Sequence, residues 1–425
     1  MERRGFIKTA AVGSAAMATA ISVQAADQKR KLKVGLVGAG WYGMVITKAA
    51  LTVGGVEVIA ICDVDSVHLN DSAAEVTKLQ GTRPQVFKDY RDLLDVKGLE
   101  VLFIGTPPHW HALMFIAACE KGLDIYCEKP LAYDILEGLA MVKASQKAGN
   151  IVQIGFQRRQ SAAFAKAKAL IDSGTIGEVH QIAAQINYIP GNQDTTIQPP
   201  PASLDWEAWC GPAPKLEYRP NIAHKAWRLE KQYGNGHLVD WGIHLIDGIR
   251  LIMDETMPTE FYTRGGIHEW KNKITTPDTL TANMAFRKAP VVWQHRLWGT
   301  GDPVKEFNNG IFFHGEKGTL FTNDSKIILY PTGKDTKPEE MVIQNVAMQE
   351  NHMENFLKAV RTREKHILRC TPEDAFQSTA TVQLAMIALD SNSLVQWDST
   401  KNEITGNKAA SMWMKREYRG PYKHP

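Results

Sequence analysis

Cysteine is scarce, at five residues in 425 (Cys62, Cys119, Cys127, Cys210 and Cys370), with no CxxC pair and no Cys/His ligand spacing. An odd count cannot pair completely, and neither a disulfide framework nor a zinc ribbon is written here. Charge of one sign is also lacking. The 49 Lys and Arg against 46 Asp and Glu leave a formal +3, too near neutral for a nucleic-acid footprint. Internal repeats and low-complexity segments are absent, and the mild apolar run from Ala10 to Val23 is too short and too rich in Ala and Gly for a comfortable membrane span. What is there is ordinary globular material: 44% apolar and 22% charged residues, with 33 Gly and 20 Pro, which sets aside disorder and collagen. The length suits two domains or three, each able to bury its own core.

The first 25 residues carry Arg3-Arg4-Gly5-Phe6-Ile7-Lys8, the mild apolar run, and a small-residue cleavage pattern at Val23-Gln24-Ala25. This resembles a twin-arginine export signal, with Glu2 departing from the usual Ser or Thr before the pair. It implies a periplasmic protein that no longer touches a membrane once the signal is cleaved, an uncleaved anchor being the alternative.

Beyond the leader, strand-length apolar runs (32–37, 56–62, 101–104, 124–127 and 151–154) alternate with helical patterns near 41–53, 66–79, 111–121 and 134–148. Such alternation predicts a doubly wound parallel α/β sheet over residues 26–155. From Val179 the texture changes to a strand, a Pro-rich excursion near 190–235, a helix near 238–253 and Thr- and Val-rich segments to Tyr330. This predicts an α+β domain over 156–395 with a large, mostly antiparallel open sheet, helices near 350–362 and 373–393, and a polar tail over 396–425. Exposed strands such as Val291 to Trp298 would leave an apolar face, and a homodimer or homotetramer formed through that sheet is expected.

The first strand runs into Gly38-Ala39-Gly40-Trp41-Tyr42-Gly43 and then a helix. Glycines there permit the tight turn, close approach of backbone to a pyrophosphate and packing of helix on strand, while the helix N-terminus presents free amides. The second strand ends at Asp63, 20 residues past Gly43, where a carboxylate accepts hydrogen bonds from an adenosine ribose. Val64 and Asp65 follow, with no Arg to receive a 2′-phosphate, so NAD is favoured over NADP.

Two more strand ends point into the same crevice: Gly105-Thr106-Pro107-Pro108-His109-Trp110-His111 and Cys127-Glu128-Lys129-Pro130-Leu131. With Gly155-Phe156-Gln157-Arg158-Arg159 and the pattern Asp240-x-x-x-His244, these motifs resemble the glucose-fructose oxidoreductase / inositol dehydrogenase / MocA family over nearly all the mature chain. The resemblance implies an NAD-dependent oxidoreductase acting on a secondary alcohol of a sugar, glycoside or cyclitol. It implies that Trp41, Tyr42, Thr106, Pro107, His109, His111, Glu128, Lys129, Gln157, Arg158 and Trp227 join Gly38, Gly40, Gly43 and Asp63 around the cofactor. It further implies that His244 takes the hydroxyl proton, Lys129 holds that oxygen, and Asp240 orients the imidazole or binds a neighbouring hydroxyl. The residue types suit these roles, since histidine titrates near neutrality and a lysine beside an oxidised nicotinamide loses its proton more readily.

Three alternatives stay open. His237, Asp240, His244 and Asp247 fall at i, i+3, i+7 and i+10 and could collect a divalent metal, although hydride transfer without one already explains the pair and no metal is expected. A retained cofactor could serve redox-neutral glycoside cleavage, or a catalytically silent protein could keep NAD as a structural ligand while binding sugar or acting as a scaffold. In the excursion, Trp206 and Trp209 read as packing of a small local core, and Trp227 and Arg228 as equally suited to packing or to sugar contact. Cys127 reads as a buried strand residue.

Overall fold

The computed structural model describes residues 30–425 except 192–193 and 345–346, so the leader expected at 1–25 lies outside the described residues. Six segments form a parallel sheet: β1 (Leu32–Val37), β2 (Val56–Cys62), β3 (Gln85–Phe87), β4 (Val101–Ile104), β5 (Asp124–Glu128) and β6 (Val152–Gly155). Their order is β3-β2-β1-β4-β5-β6, so the chain reverses direction across the sheet between β1 and β4 and opens a crevice at the carboxyl ends. The connecting helices are α1 (Trp41–Val53), α2 (Ser66–Gln80), α3 (Tyr90–Leu94), α4 (His111–Glu120) and α5 (Ile135–Ala148). Asp65 caps α2 through Val67 N–H, and Asp134 with Glu137 closes a capping box on α5.

After α6 (Ala162–Asp172), β7 (Val179–Ile186) enters a second sheet, followed by α7 (Trp206–Cys210) in the excursion and α8 (Ile243–Met253). The sheet is completed by β8 (Glu260–Gly266), β9 (Thr279–Ala285), β10 (Pro290–Arg296), β11 (Asn309–Gly315), β12 (Gly318–Thr322), β13 (Lys326–Pro331) and β14 (Glu339–Val342). Helices α9 (Met348–Thr362) and α10 (Pro372–Asp390) precede β15 (Val395–Asp398) and β16 (Glu403–Thr405). The ten strands run β14-β13-β12-β11-β7-β10-β9-β8-β15-β16, antiparallel except where β10 lies parallel to β7. Strict alternation puts Val291, Trp293 and His295 of β10 and Leu280, Ala282 and Met284 of β9 into one core with α6, α8 and α10. Among the described residues no helix is long and apolar enough to cross a membrane.

The structure differs from the sequence expectations in four places. β3, α3, α6, α7 and β14 were not anticipated, and the three residues of β3, Gln85-Val86-Phe87, have no fully buried side chain to mark them. The outer face of the sheet is not an apolar patch: Val291 and Trp293 point inward, and Thr281, Asn283, Val292, Gln294 and Arg296 point out. Helix α9 does not belong to the second domain's core. Its Met353, Phe356, Leu357 and Val360 pack with Val34, Leu36, Phe103 and Tyr126 of the first sheet. Finally, residues 396–425 are not a free polar tail, since their first part supplies β15 and β16 and their last part returns to the first domain.

Candidate active site

The glycine turn is built as its sequence requires. Gly38 has φ +85°, and a Cβ on it would lie 2.7 Å from Thr106 N; a Cβ on Gly43 would lie 1.8 Å from Gly38 O, so both positions exclude any side chain. Gly40 differs, because the nearest atom to its would-be Cβ is His68 Nδ1 at 3.9 Å, and its open side faces a cavity of about 860 Å³. It begins α1 with no side-chain cap and no acidic residue in the first turn, which leaves the helix amides for an anion. The room, the glycine cradle and the uncapped helix together fit a dinucleotide. Trp41, Tyr42, Thr106, Pro107 and Trp227 share the wall of this cavity.

Asp63 also faces it. Its Oδ2 accepts the Ala39 N–H at 2.7 Å and its Oδ1 the Asp65 N–H at 2.8 Å, while burial raises its pKa. Beside it the excursion is fastened to the first domain: Ser66 N–H donates to Ser203 O, Asp205 N–H to Val64 O, and His224 Nε2 meets Asp65 Oδ2 at 3.0 Å. The excursion has the small core expected, with Trp206 and Trp209 stacked at 4.8 Å and Tyr233 buried against both.

The remaining cofactor residues expected from sequence are placed less uniformly. Gln157 donates to the Tyr42 hydroxyl at 2.6 Å, and Arg158 pairs with Asp324 at 3.1 Å with its guanidinium 5.8 Å from the Trp241 ring centre. The Glu128 carboxylate lies against Gly155, where any Cβ would collide with it, and burial pushes its pKa up to about 8. His109 and His111 of the expected cofactor loop do not themselves line the cavity. Both are fully buried behind the cavity wall: His109 Nε2 meets Trp209 O at 2.9 Å, and His111 is held between Thr106 O and Pro130 O. They brace the loop that Thr106 and Pro107 present.

Lys129, at the carboxyl end of β5, reaches across to the second domain. Its Nζ donates to Asp240 O at 2.7 Å and to Asp240 Oδ1 at 3.0 Å, while Arg228 Nε holds Asp240 Oδ2 at 2.9 Å. Burial opposes a charge on Asp240, but Arg228 and Lys129 outweigh it and hold the carboxyl below its usual range. The Asp240 carboxylate therefore fixes Lys129 and Arg228, not the imidazole. Burial, then the Lys129 and Arg158 charges, drive the His244 pKa well below its ordinary value, and its buried Nδ1 has no hydrogen-bond partner among the described residues. The site thus offers a neutral imidazole beside a fixed ammonium.

The helix carrying this pair is not regular. Leu238–Gly242 form a π-helical turn before α8, so Asp240 and His244 are not simply one α-turn apart. The outer two of the four groups considered as metal ligands are engaged elsewhere. His237 Nε2 meets Ile186 O at 3.0 Å among Tyr188 and His295, and Asp247 pairs with Arg159 and accepts from Ser378. Arg228 lines the cavity and its Nε holds Asp240 Oδ2, so it links the cavity to the Lys129–Asp240 pair. Sequence reading missed Tyr90, Trp110, Tyr188 and Tyr422 as cavity residues. Only Trp110 carried a signal, its place inside the Thr106–His111 motif.

Residues 32–156 match the family described as "Oxidoreductase family, NAD-binding Rossmann fold", and residues 175–424 the one described as "Oxidoreductase family, C-terminal alpha/beta domain". Inositol 2-dehydrogenase of Salmonella typhimurium is 36% identical over 149 residues, which are 35% of this chain and 43% of that relative, so the match spans less than half its length. Levoglucosan dehydrogenase of Pseudarthrobacter phenanthrenivorans is 30% identical over 231 residues, 53% of this chain and 52% of that protein. The solved structure of levoglucosan dehydrogenase with NADH and levoglucosan shares the fold, with a TM-score of 0.65 at 20% identity over 86% of this chain and 99% of that one. With both domain families matched in order along the described chain, the protein belongs to the glucose-fructose oxidoreductase / inositol dehydrogenase / MocA family of oxidoreductases and carries its NAD-binding domain.

Proposed function

We propose that this chain is an exported, NAD-dependent oxidoreductase that oxidises or reduces a secondary alcohol of a sugar, glycoside or cyclitol, glycoside 3-oxidation being one such reaction, and that it keeps its cofactor bound through turnover. The observation that carries this reading is the Lys129 ammonium fixed by Asp240 beside the buried, neutral His244. NAD, when bound along the glycine turn, supplies the hydride acceptor. Asp240 uses two of the three Lys129 donors, which leaves one for the substrate oxygen. His244, neutral because burial and two cations oppose its protonation, accepts the hydroxyl proton as the carbon is oxidised. The cofactor residues proposed are Gly38, Gly40, Trp41, Tyr42, Gly43, Asp63, Thr106, Pro107, Glu128, Lys129, Gln157, Arg158 and Trp227, with His109 and His111 in the loop that presents Thr106 and Pro107.

Export rests on the leader alone. It supports a retained cofactor, because free NAD is scarce outside the cytoplasm and the twin-arginine route carries folded, loaded proteins. We also propose a homodimer or homotetramer; light scattering of a monomer at micromolar concentration would contradict it. The activity itself is tested by offering a panel of glycosides and cyclitols to the purified protein and following reduced nicotinamide. At least one should reduce bound NAD. Cleavage without net reduction would favour the redox-neutral reaction, and inertness toward the whole panel would favour the silent NAD-retaining protein.

A further inference from the structure

We propose that the C-terminal segment Arg416–His424 is part of the cofactor site, and that the Tyr422 ring forms one wall of the slot that takes the adenine. The inference rests on the NAD-binding reading and extends it to residues outside the expected motifs.

The topology identifies which end of the cavity is involved. In a sheet ordered β3-β2-β1-β4-β5-β6 the adenosine half lies over β2 and β3, on the side of Asp63. The cavity at that end is walled by Lys88 to Arg91 after β3, by Trp110 after β4 and by Tyr422. Tyr90 meets Trp110 edge to face at 5.9 Å, and Trp110 meets Tyr422 in the same way at 5.3 Å. Three rings around one opening suit a flat aromatic ligand better than a sugar hydroxyl or a phosphate. The other side of Trp110 is closed by Gly211 of the excursion, where a Cβ would lie 2.3 Å from the indole, so the ring cannot retreat from the slot.

The segment is also fastened too well to be a loose end. Arg416 and the Tyr418 hydroxyl bond the fully buried Glu137 at 3.0 and 2.7 Å, and His424 Nε2 meets the buried Asp134 at 2.9 Å. Between these anchors Arg419 N–H donates to Pro212 O at 2.8 Å, and the Arg419 guanidinium donates to Gly211 O and pairs with Glu207. The tail therefore ties the excursion to the first domain, and Tyr422, which closes a turn onto Arg419 O, is the residue it presents to the cavity.

The test uses the full-length protein freed of cofactor and measures equilibrium binding of NAD, AMP and nicotinamide mononucleotide to wild type, Tyr422→Ala, Tyr422→Leu and Tyr422→Phe. Loss of one base–aromatic contact predicts that Tyr422→Ala binds NAD and AMP about five- to twentyfold more weakly. Nicotinamide mononucleotide, which has no adenine, should bind unchanged. Tyr422→Phe should restore both affinities and Tyr422→Leu should not, because a planar ring and not bulk is required; these two variants keep the test decisive should the alanine variant fold poorly. Unchanged AMP affinity, or an equal loss for nicotinamide mononucleotide, would overturn the assignment while leaving the oxidoreductase reading intact. A wild-type protein that binds no NAD would overturn both.

Discussion

At the residue scale the chemistry turns on how four side chains, the buried Asp240 and His244 and the partly buried Lys129 and Arg228, divide one charge balance. Lys129 and Arg228 share the Asp240 carboxylate, and His244 is left neutral next to them. Burial is the largest cause of the depressed His244 pKa, and the Lys129 cation is the next. Removing that cation must raise the pKa of the imidazole, so in Lys129→Met the acidic limb of the pH–rate profile should move to higher pH, alongside a fall in turnover. A limb that stays in place would mean that His244 is not the titrating base. These residues were legible because they sit in motifs with a fixed spacing. The partner of Asp240 was not legible, since Arg228 lies 12 positions away in an irregular loop and no periodicity connects them. For His109 and His111 the motif was plain, but which backbone carbonyls their rings meet depends on the course of the loop.

At the scale of elements, long periodic segments were legible and short or irregular ones were not. Five of the six strands of the first sheet and four of its helices follow from apolar runs and amphipathic spacing, whereas β3 has three residues and the π-helical turn at Leu238–Gly242 has no pattern of its own. Helix α9 was visible as a helix, but its partner was not, because an apolar stripe does not say which sheet it covers. The structure places it against β4 and β5, where Phe356 is fully buried against Phe103 and Tyr126. Phe356→Ala should therefore destabilise the protein by about 3–5 kcal/mol, as cavities left by large aromatics do. Thermal unfolding with and without NAD checks this. Since the helix packs beneath the cofactor sheet, added NAD should recover part of the lost stability, and a loss below 1 kcal/mol would place α9 outside that core.

For the whole molecule, the cofactor cavity is made by three parts of the chain distant in sequence: the first sheet, the excursion fastened at Asp65, and the returning tail with Tyr422. This explains how one site can enclose a dinucleotide, and why the boundaries read from sequence at 155 and 395 do not separate independent bodies. The fold class, the glycine cradle and the Lys129–Asp240–His244 set could be read from local pattern. The enclosure could not, because it depends on contacts between segments some 300 residues apart, such as Arg416 with His109. The central claim is that His244 and Lys129 work on an alcohol beside NAD held in this cavity. It is tested most directly by single-turnover reduction of bound NAD, using a glycoside that the wild type oxidises, in Lys129→Ala, His244→Ala, the double variant and His237→Ala. Each single change at Lys129 or His244 should slow the reaction by about two to four powers of ten with NAD still bound, and His237→Ala by about tenfold at most. Reduction at the wild-type rate in the double variant would contradict the account, whatever the fold and cofactor proved to be.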